Sequence, residues 1–342
     1  MNKANKLKYL KEKQEELFFS GAYYAKKDNE ILEGSNGLAN RSEKIDNQVK
    51  TRFSIASGCK IFTAVAICML VEARKISFQS KIKDCIDTDI ELPYFDKDIT
   101  IHHLLTHTSG VPDYFNEEIM DDFELLWKSR PMYHIRSPRD FLPMFQYEKM
   151  QTKINSSFEY NNAGYILLGL VVEHVTKRNF TEFVEEHIFH KAGMMNSGYF
   201  EVDRLPERTA LGYMEDSDGT LKTNIYSLPV KGGPDGGAYV SVEDMCRFWQ
   251  VLTNHQLLSE KMTETLLKPS EVVDAENNIY YGYSGYMELD DDKKVVKYIQ
   301  MGYDPGVNFR AVYYPGTETI IVVCSNESEG AYELLKEIES IL

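Results

Sequence analysis

The chain has 342 residues, of which 43% are hydrophobic and 27% charged, a composition that permits a sizeable core and excludes disorder as the main state. Its 53 acidic and 38 basic side chains give a formal net charge of −15. That argues against nucleic acid or an anionic membrane surface as the main partner, because both need a clustered basic excess.

In chain order, residues 4–18 are charged and carry Leu7, Leu10 and Leu17 at helical spacing, which predicts a surface helix. The opening MNKANKLKYLKEKQEELFF lacks the apolar stretch and small-residue cleavage site of a secretory signal. No segment reaches 18 uninterrupted apolar residues, so a cytoplasmic protein with no membrane partner is expected. Residues 18–27, 30–39 and 50–57 predict strands separated by polar turns. KIFTAVAICMLVEARK (60–75) follows as a helix apolar nearly all round, which belongs in the middle of a protein. Further helices are predicted at 100–106, 119–128, 138–147, 163–177, 180–192 and 242–253. Beyond about residue 279, YYGYSGYMEL, KVVKYIQMG, NFRAVYYPG and ETIIVVCSN read as four strands, and EGAYELLKEIESIL closes the chain as a helix.

Consecutive strands on short turns are antiparallel. The predicted fold class is therefore α+β: an antiparallel sheet built from both ends of the chain, flanked by the terminal helices, with a mainly helical lobe inserted. The sheet lobe spans about 1–56 and 266–342 and the helical lobe about 57–265. They are expected to form one folding unit over 1–342 with a cleft between them, where ligand sites usually lie. The five cysteines, Cys59, Cys68, Cys85, Cys246 and Cys324, match no zinc spacing and are expected to be reduced and structural.

Three segments carry chemistry. Ser57-Gly58-Cys59-Lys60 places a serine and a lysine at i and i+3, on one face of a helix start. Ser57 stands where free N–H groups and the helix dipole favour developing negative charge. Desolvation of Lys60 at the head of an apolar helix disfavours a charged amine, and an amine so placed can help to remove the serine proton. Ser80-Lys81-Ile82-Lys83 has the same spacing but no apolar helix behind it. Tyr160-Asn161-Asn162 offers a phenol that a neighbouring cation can turn into a base, and an amide with both a donor and an acceptor. Gln300-Met301-Gly302-Tyr303-Asp304-Pro305-Gly306 reads either as a strand whose glycine permits close backbone approach, offering the Tyr303 N–H as half of an oxyanion hole, or as a plain β-turn.

Together these segments resemble the serine β-lactamase and penicillin-binding-protein superfamily, in its class C-like branch, whose S-x-x-K and Tyr-x-Asn motifs fit Ser57, Lys60, Tyr160 and Asn162. ITIHHLLTHTSGVPDY (99–114), HIFHKAGMMNSGYF and GGPDGGAYVSVEDMCRF (232–248) are similar too, so the resemblance runs over roughly residues 15–330. It implies a β-lactamase/transpeptidase-like fold and a cofactor-free serine hydrolase acting through an acyl-enzyme on a small ester, amide or peptide. Ser57 would be the nucleophile, with Lys60 and Tyr160 as the proton-transfer groups and the choice of base between them open. Asn162, Gln300, Gly302 and Tyr303 would meet substrate. The third motif departs from the family's Lys-Thr-Gly or His-x-Gly: Gln300 removes the cation, which puts efficient β-lactam hydrolysis in doubt. A catalytically weak penicillin- or peptide-binding sensor, and an acyltransferase, are the alternatives. His102, His103 and His107 are clustered, but without H-E-x-x-H or matching carboxylates no metal is expected. No G-x-S-x-G, G-x-G-x-x-G or P-loop occurs, so no cofactor is implied. The oligomeric state is left open.

Overall fold

Asn2 opens the first helix, its side chain accepting from the Asn5 N–H at 2.9 Å as an N-cap should; this α1 spans Lys3–Glu16. Strands β1 (Gly21–Lys27) and β2 (Glu30–Asn36) follow as a hairpin. Near the other end of the chain come β3 (Pro269–Asp274), β4 (Ile279–Gly282), β5 (Gly285–Leu289), β6 (Val295–Asp304), β7 (Val307–Tyr314) and β8 (Thr319–Ser325). The computed structural model describes residues 1–115 and 123–342. Its main sheet is antiparallel with strand order β2-β1-β8-β7-β6-β5-β4-β3. The two ends of the chain meet where β1 pairs with β8, Tyr23 opposite Val323.

Alternation along β8 explains why that strand is apolar throughout. Ile321 and Val323 join Leu10 of α1 and Leu334, Leu335 and Ile338 of the C-terminal helix on one face. Ile320, Val322 and Cys324 point into the larger core on the other. A strand covered on both faces has no polar side to show. The larger core is built on the helices between the sheet halves: α2 (Lys60–Glu72), α3 (Asn162–Thr176) and α4 (Val242–Thr253), with the C-terminal helix as α5 (Ala331–Ile341). Helix α2 is buried from Lys60 to Cys68 and again at Leu70, as its all-round hydrophobicity predicts. All five cysteines are free and buried.

Several segments differ from expectation. Of residues 50–57 only Phe53–Ser54 form a strand, paired with Tyr239–Val240 outside the main sheet, and Ala56–Cys59 tighten into a 3-10 turn. Segment 138–147 is a 3-10 helix over Pro138–Met144 with Pro143 inside it; a proline lacks the N–H that an α-helical bond needs. YYGYSGYMEL is not one strand but a hairpin, Tyr281 opposite Tyr286 across a turn at Tyr283-Ser284. Strand β3 was not predicted: it is the sheet edge, with Val272 and Val273 exposed, so burial left no alternation to read. Of the helix expected at 119–128, residues 119–122 lie outside the described residues, and 123–129 are helical. Among the described residues no helix is long and apolar enough to cross a membrane.

Candidate active site

The residue before Ser57 sets the site's local geometry. Ala56 is buried with φ +45°, a left-handed conformation that strains a residue with a Cβ and is held only by its surroundings. The restraints come from the turn after Lys231: Gly237 N–H donates to Ala56 O at 3.2 Å, and Ile55 N–H donates to Ala238 O at 3.0 Å. Ser57 thereby faces a cavity of about 660 Å³, a size suited to a small-molecule ligand.

Lys60 is buried one turn on. Its Nζ lies 2.9 Å from Ser57 Oγ, 2.8 Å from Asn162 Oδ1 and 2.5 Å from the Asp235 carbonyl oxygen, so the three donors of an ammonium each meet an oxygen. The Tyr160 ring sits with its centroid 4.9 Å from the same nitrogen, a cation–π distance. The second S-x-x-K match builds nothing comparable: Ser80 Oγ accepts from the Ser77 N–H, and Lys83 is exposed. Cys59, beside the serine, is buried, and burial pushes its thiol up to about 12, which leaves almost no thiolate to compete as a nucleophile at neutral pH.

The loop carrying Tyr160 and Asn162 is held from the 99–114 stretch. His107 Nδ1 accepts the Asn161 N–H at 3.0 Å, so the ring proton sits on Nε2, 3.0 Å from the Tyr281 hydroxyl. Burial, then the nearby Lys60 charge, hold His107 well below its usual pKa, and the neutral ring packs against Tyr160 at 4.6 Å. Asn161 caps α3 by accepting from Gly164 N–H at 2.7 Å. Asp113 accepts from Asn162 N–H and Ala163 N–H, each at 2.9 Å, and from Asn162 Nδ2 at 3.3 Å; burial pushes its carboxyl up to about 6. The other clustered histidines are occupied in the fold, His102 with the Tyr283 hydroxyl at 2.7 Å and His103 accepting from Thr100 N–H at 3.1 Å.

Strand β6 closes the other wall. A Cβ added at Gly302 would lie 2.0 Å from Ile55 O and 2.9 Å from Gly58 N, so the strand backbone and the Ser57 turn touch with no side chain between them. Tyr303, Asp304 and Pro305 line the cavity with Ser57 and Asn162. The segment is both strand and turn: after Asp304 pairs with Val307, Pro305 and Gly306, the latter at φ +71°, close the β6–β7 hairpin. Gln300 does not line the cavity. It is buried, and its amide donates to the Ser284 carbonyl. The structure thus brings Ser57, Lys60, Asn162 and the Tyr160 ring together and sets Tyr303 on the facing wall; Gly302, expected to meet substrate, is packed against the Ile55–Gly58 backbone and does not line the cavity. Asp113, Tyr114, His107 and Asp235 support the site without having been predicted as site residues. Their sequence signal was only membership of the 99–114 and 232–248 stretches, because each acts across 49 or more residues.

A family model described as Beta-lactamase matches residues 11–339. Penicillin-binding protein 4* of Bacillus subtilis is 29% identical, over 99% of this chain and 77% of its own length. The crystal structure of a penicillin binding protein from Bacillus halodurans superposes with a TM-score of 0.92 at 52% identity, covering 97% of this chain and all (100%) of the other. D-amino acid amidase from Ochrobactrum anthropi SV3, complexed with D-phenylalanine, shares the fold at a TM-score of 0.81 and 20% identity, over 99% of this chain and 98% of its own.

Proposed function

The chain belongs to the Beta-lactamase family, and from that premise we propose that it is a cofactor-free serine hydrolase acting through an acyl-enzyme on a small ester or amide. The observation that carries this reading is the 2.9 Å contact of Lys60 Nζ with Ser57 Oγ at the wall of the cavity. Ser57 Oγ attacks the carbonyl carbon, and its proton passes to the Lys60–Tyr160 pair in the state in which that pair has lost one proton, as the free amine or as the phenolate. The N–H groups of Ser57 and Tyr303 face the developing oxyanion. Collapse breaks the bond to the leaving group, which takes up that proton. Water then gives a proton to the same pair and attacks the acyl carbon, releasing the acid and restoring Ser57.

Charge around the cavity narrows the substrate. Among the described lining residues Glu124, Glu215, Asp235 and Asp304 are acidic and Lys231 is basic; Glu124 lies 3.8 Å from Lys222, Asp235 accepts from the Tyr114 hydroxyl, and Lys60 stands behind Ser57, so the acidic excess lies away from the Ser57 hydroxyl itself. Gln300 supplies no cation where the family carries one, and its amide is committed to Ser284. A neutral or amine-bearing ester is therefore expected to be turned over at least ten-fold better in kcat/KM than its carboxylate-bearing counterpart. Three p-nitrophenyl esters of matched chain length, assayed with the wild type and with Ser57→Ala as control, test this. Equal or better turnover of the anionic ester contradicts the substrate assignment, and undiminished turnover by Ser57→Ala contradicts the mechanism. The neutral Gln300 also favours one second reading, a protein that is acylated and turns over slowly. A burst of p-nitrophenol with no steady state marks that reading.

A further inference from the structure

Two of the three oxygens around Lys60 Nζ are themselves fixed by consecutive residues of one loop. Asp113 accepts from both the backbone and the side-chain nitrogen of Asn162. That contact decides the orientation of the amide: with Nδ2 turned to the carboxylate, Oδ1 must face Lys60, where it lies at 2.8 Å. The hydroxyl of Tyr114 donates to the buried Asp235 carboxylate, and the carbonyl of the same Asp235 accepts from Lys60 at 2.5 Å. The Tyr114 ring is buried against Phe141, centroids 5.0 Å apart, so the hydroxyl is delivered by a rigid support. Neither residue is placed in hydrogen-bonding contact with Ser57 or Lys60.

We infer that Asp113 and Tyr114 are positioning residues that aim the Lys60 amine at Ser57 Oγ, Asp113 by orienting the Asn162 amide and Tyr114 by holding Asp235. This rests on the proposed role of Lys60 in acylating Ser57. With either support gone, the oxygen it holds is free to rotate or shift, and a misplacement near 1 Å can cost on the order of 10²-fold in rate.

The test uses the full chain, a fluorophosphonate and intact-mass detection. The rate constant of labelling reports the aim of the amine in folded molecules, whereas the final amplitude reports how many are folded. Tyr114→Phe removes one hydroxyl and keeps the ring, and Asp113→Asn keeps an acceptor but sets an amide N–H against the N-terminus of α3. Each is expected to lower the labelling rate constant roughly ten-fold or more, with Tyr114→Phe keeping full amplitude and an unchanged KM for a neutral ester. In a Lys60→Ala background the Tyr114→Phe change is expected to have no further effect, because residues acting through one group are not additive. The inference is overturned if Tyr114→Phe labels at the wild-type rate, if its loss is the same with and without Lys60, or if it raises KM while leaving kcat unchanged. Ser57→Ala separates the two claims: continued labelling there defeats the proposed nucleophile itself, whereas abolished labelling beside an unaffected Tyr114→Phe defeats only the positioning role.

Discussion

Lys60→Met is expected to slow acylation of Ser57 by roughly 10²–10⁴-fold, the range that a positioned proton-transfer group contributes. Methionine keeps the unbranched bulk of the lysine stem, so α2 should still pack. What disappears is the nitrogen 2.9 Å from Ser57 Oγ, and with it the only cation that the structure places against that hydroxyl among the described residues. Two buried acceptors, Asn162 Oδ1 and the Asp235 carbonyl, lose their donor, and an unsatisfied buried polar group costs about 1–3 kcal/mol. A fall in Tm should therefore accompany the kinetic loss. Stopped-flow acylation by a neutral activated ester, beside a thermal melt, checks both. A wild-type acylation rate in a folded Lys60→Met protein removes the amine from the mechanism.

Gly302→Ala should be nearly as damaging, for a reason that involves no chemical group at all. The added Cβ would stand 2.0 Å from Ile55 O and 2.9 Å from Gly58 N, well inside the 3.5–4.0 Å at which carbon atoms rest comfortably. Both neighbours are backbone, so no side chain can swing away. Strand β6 is held on its far side by the β7 ladder, Met301 opposite Arg310 and Tyr303 opposite Asn308. Relief requires the strand and the Ser57 turn to separate, which carries apart Tyr303 and Ser57, both of which line the cavity. Overpacking of this kind costs about 1–3 kcal/mol, and a shift near 1 Å at the reacting centre can cost about 10²-fold in rate. The expected result is a folded, less stable protein whose kcat/KM has fallen by that order. Full activity would show that the contact between β6 and the Ser57 turn has no part in catalysis.

These expectations divide along the line between what was readable in the chain and what was not. The two sheet halves and helices α2, α3 and α4 were legible because burial writes itself as periodicity: β8 is apolar on both faces, and α2 is apolar all round. The Ser57–Lys60 pairing was legible because it is local, one helical turn with a hydrophobic helix behind it. The edge strand β3 was hidden because it buries little, and the 3-10 segment at 138–144 because Pro143 interrupts a helical pattern that hydrophobicity alone continues. Asp113 and Tyr114 were hidden for a different reason. An acceptor that turns the amide of Asn162, or a hydroxyl that holds Asp235, leaves no spacing to read when the partner lies 49 or 121 residues away. Gln300 shows the converse. Its substitution for a cation was plain from the chain, but only the fold reveals that its amide is committed to Ser284.

The central claim is that Ser57 forms a covalent bond to the acyl group. Wild-type protein quenched in acid within seconds of mixing with a neutral activated ester, digested and analysed by peptide mass mapping tests it most directly. The account predicts an increment equal to the acyl group on the peptide holding Ser57, localised by fragmentation to that side chain and absent from Ser57→Ala. An acyl group found instead on Lys60, Tyr160 or Cys59, or turnover with no adduct on any residue at the earliest time, would contradict it.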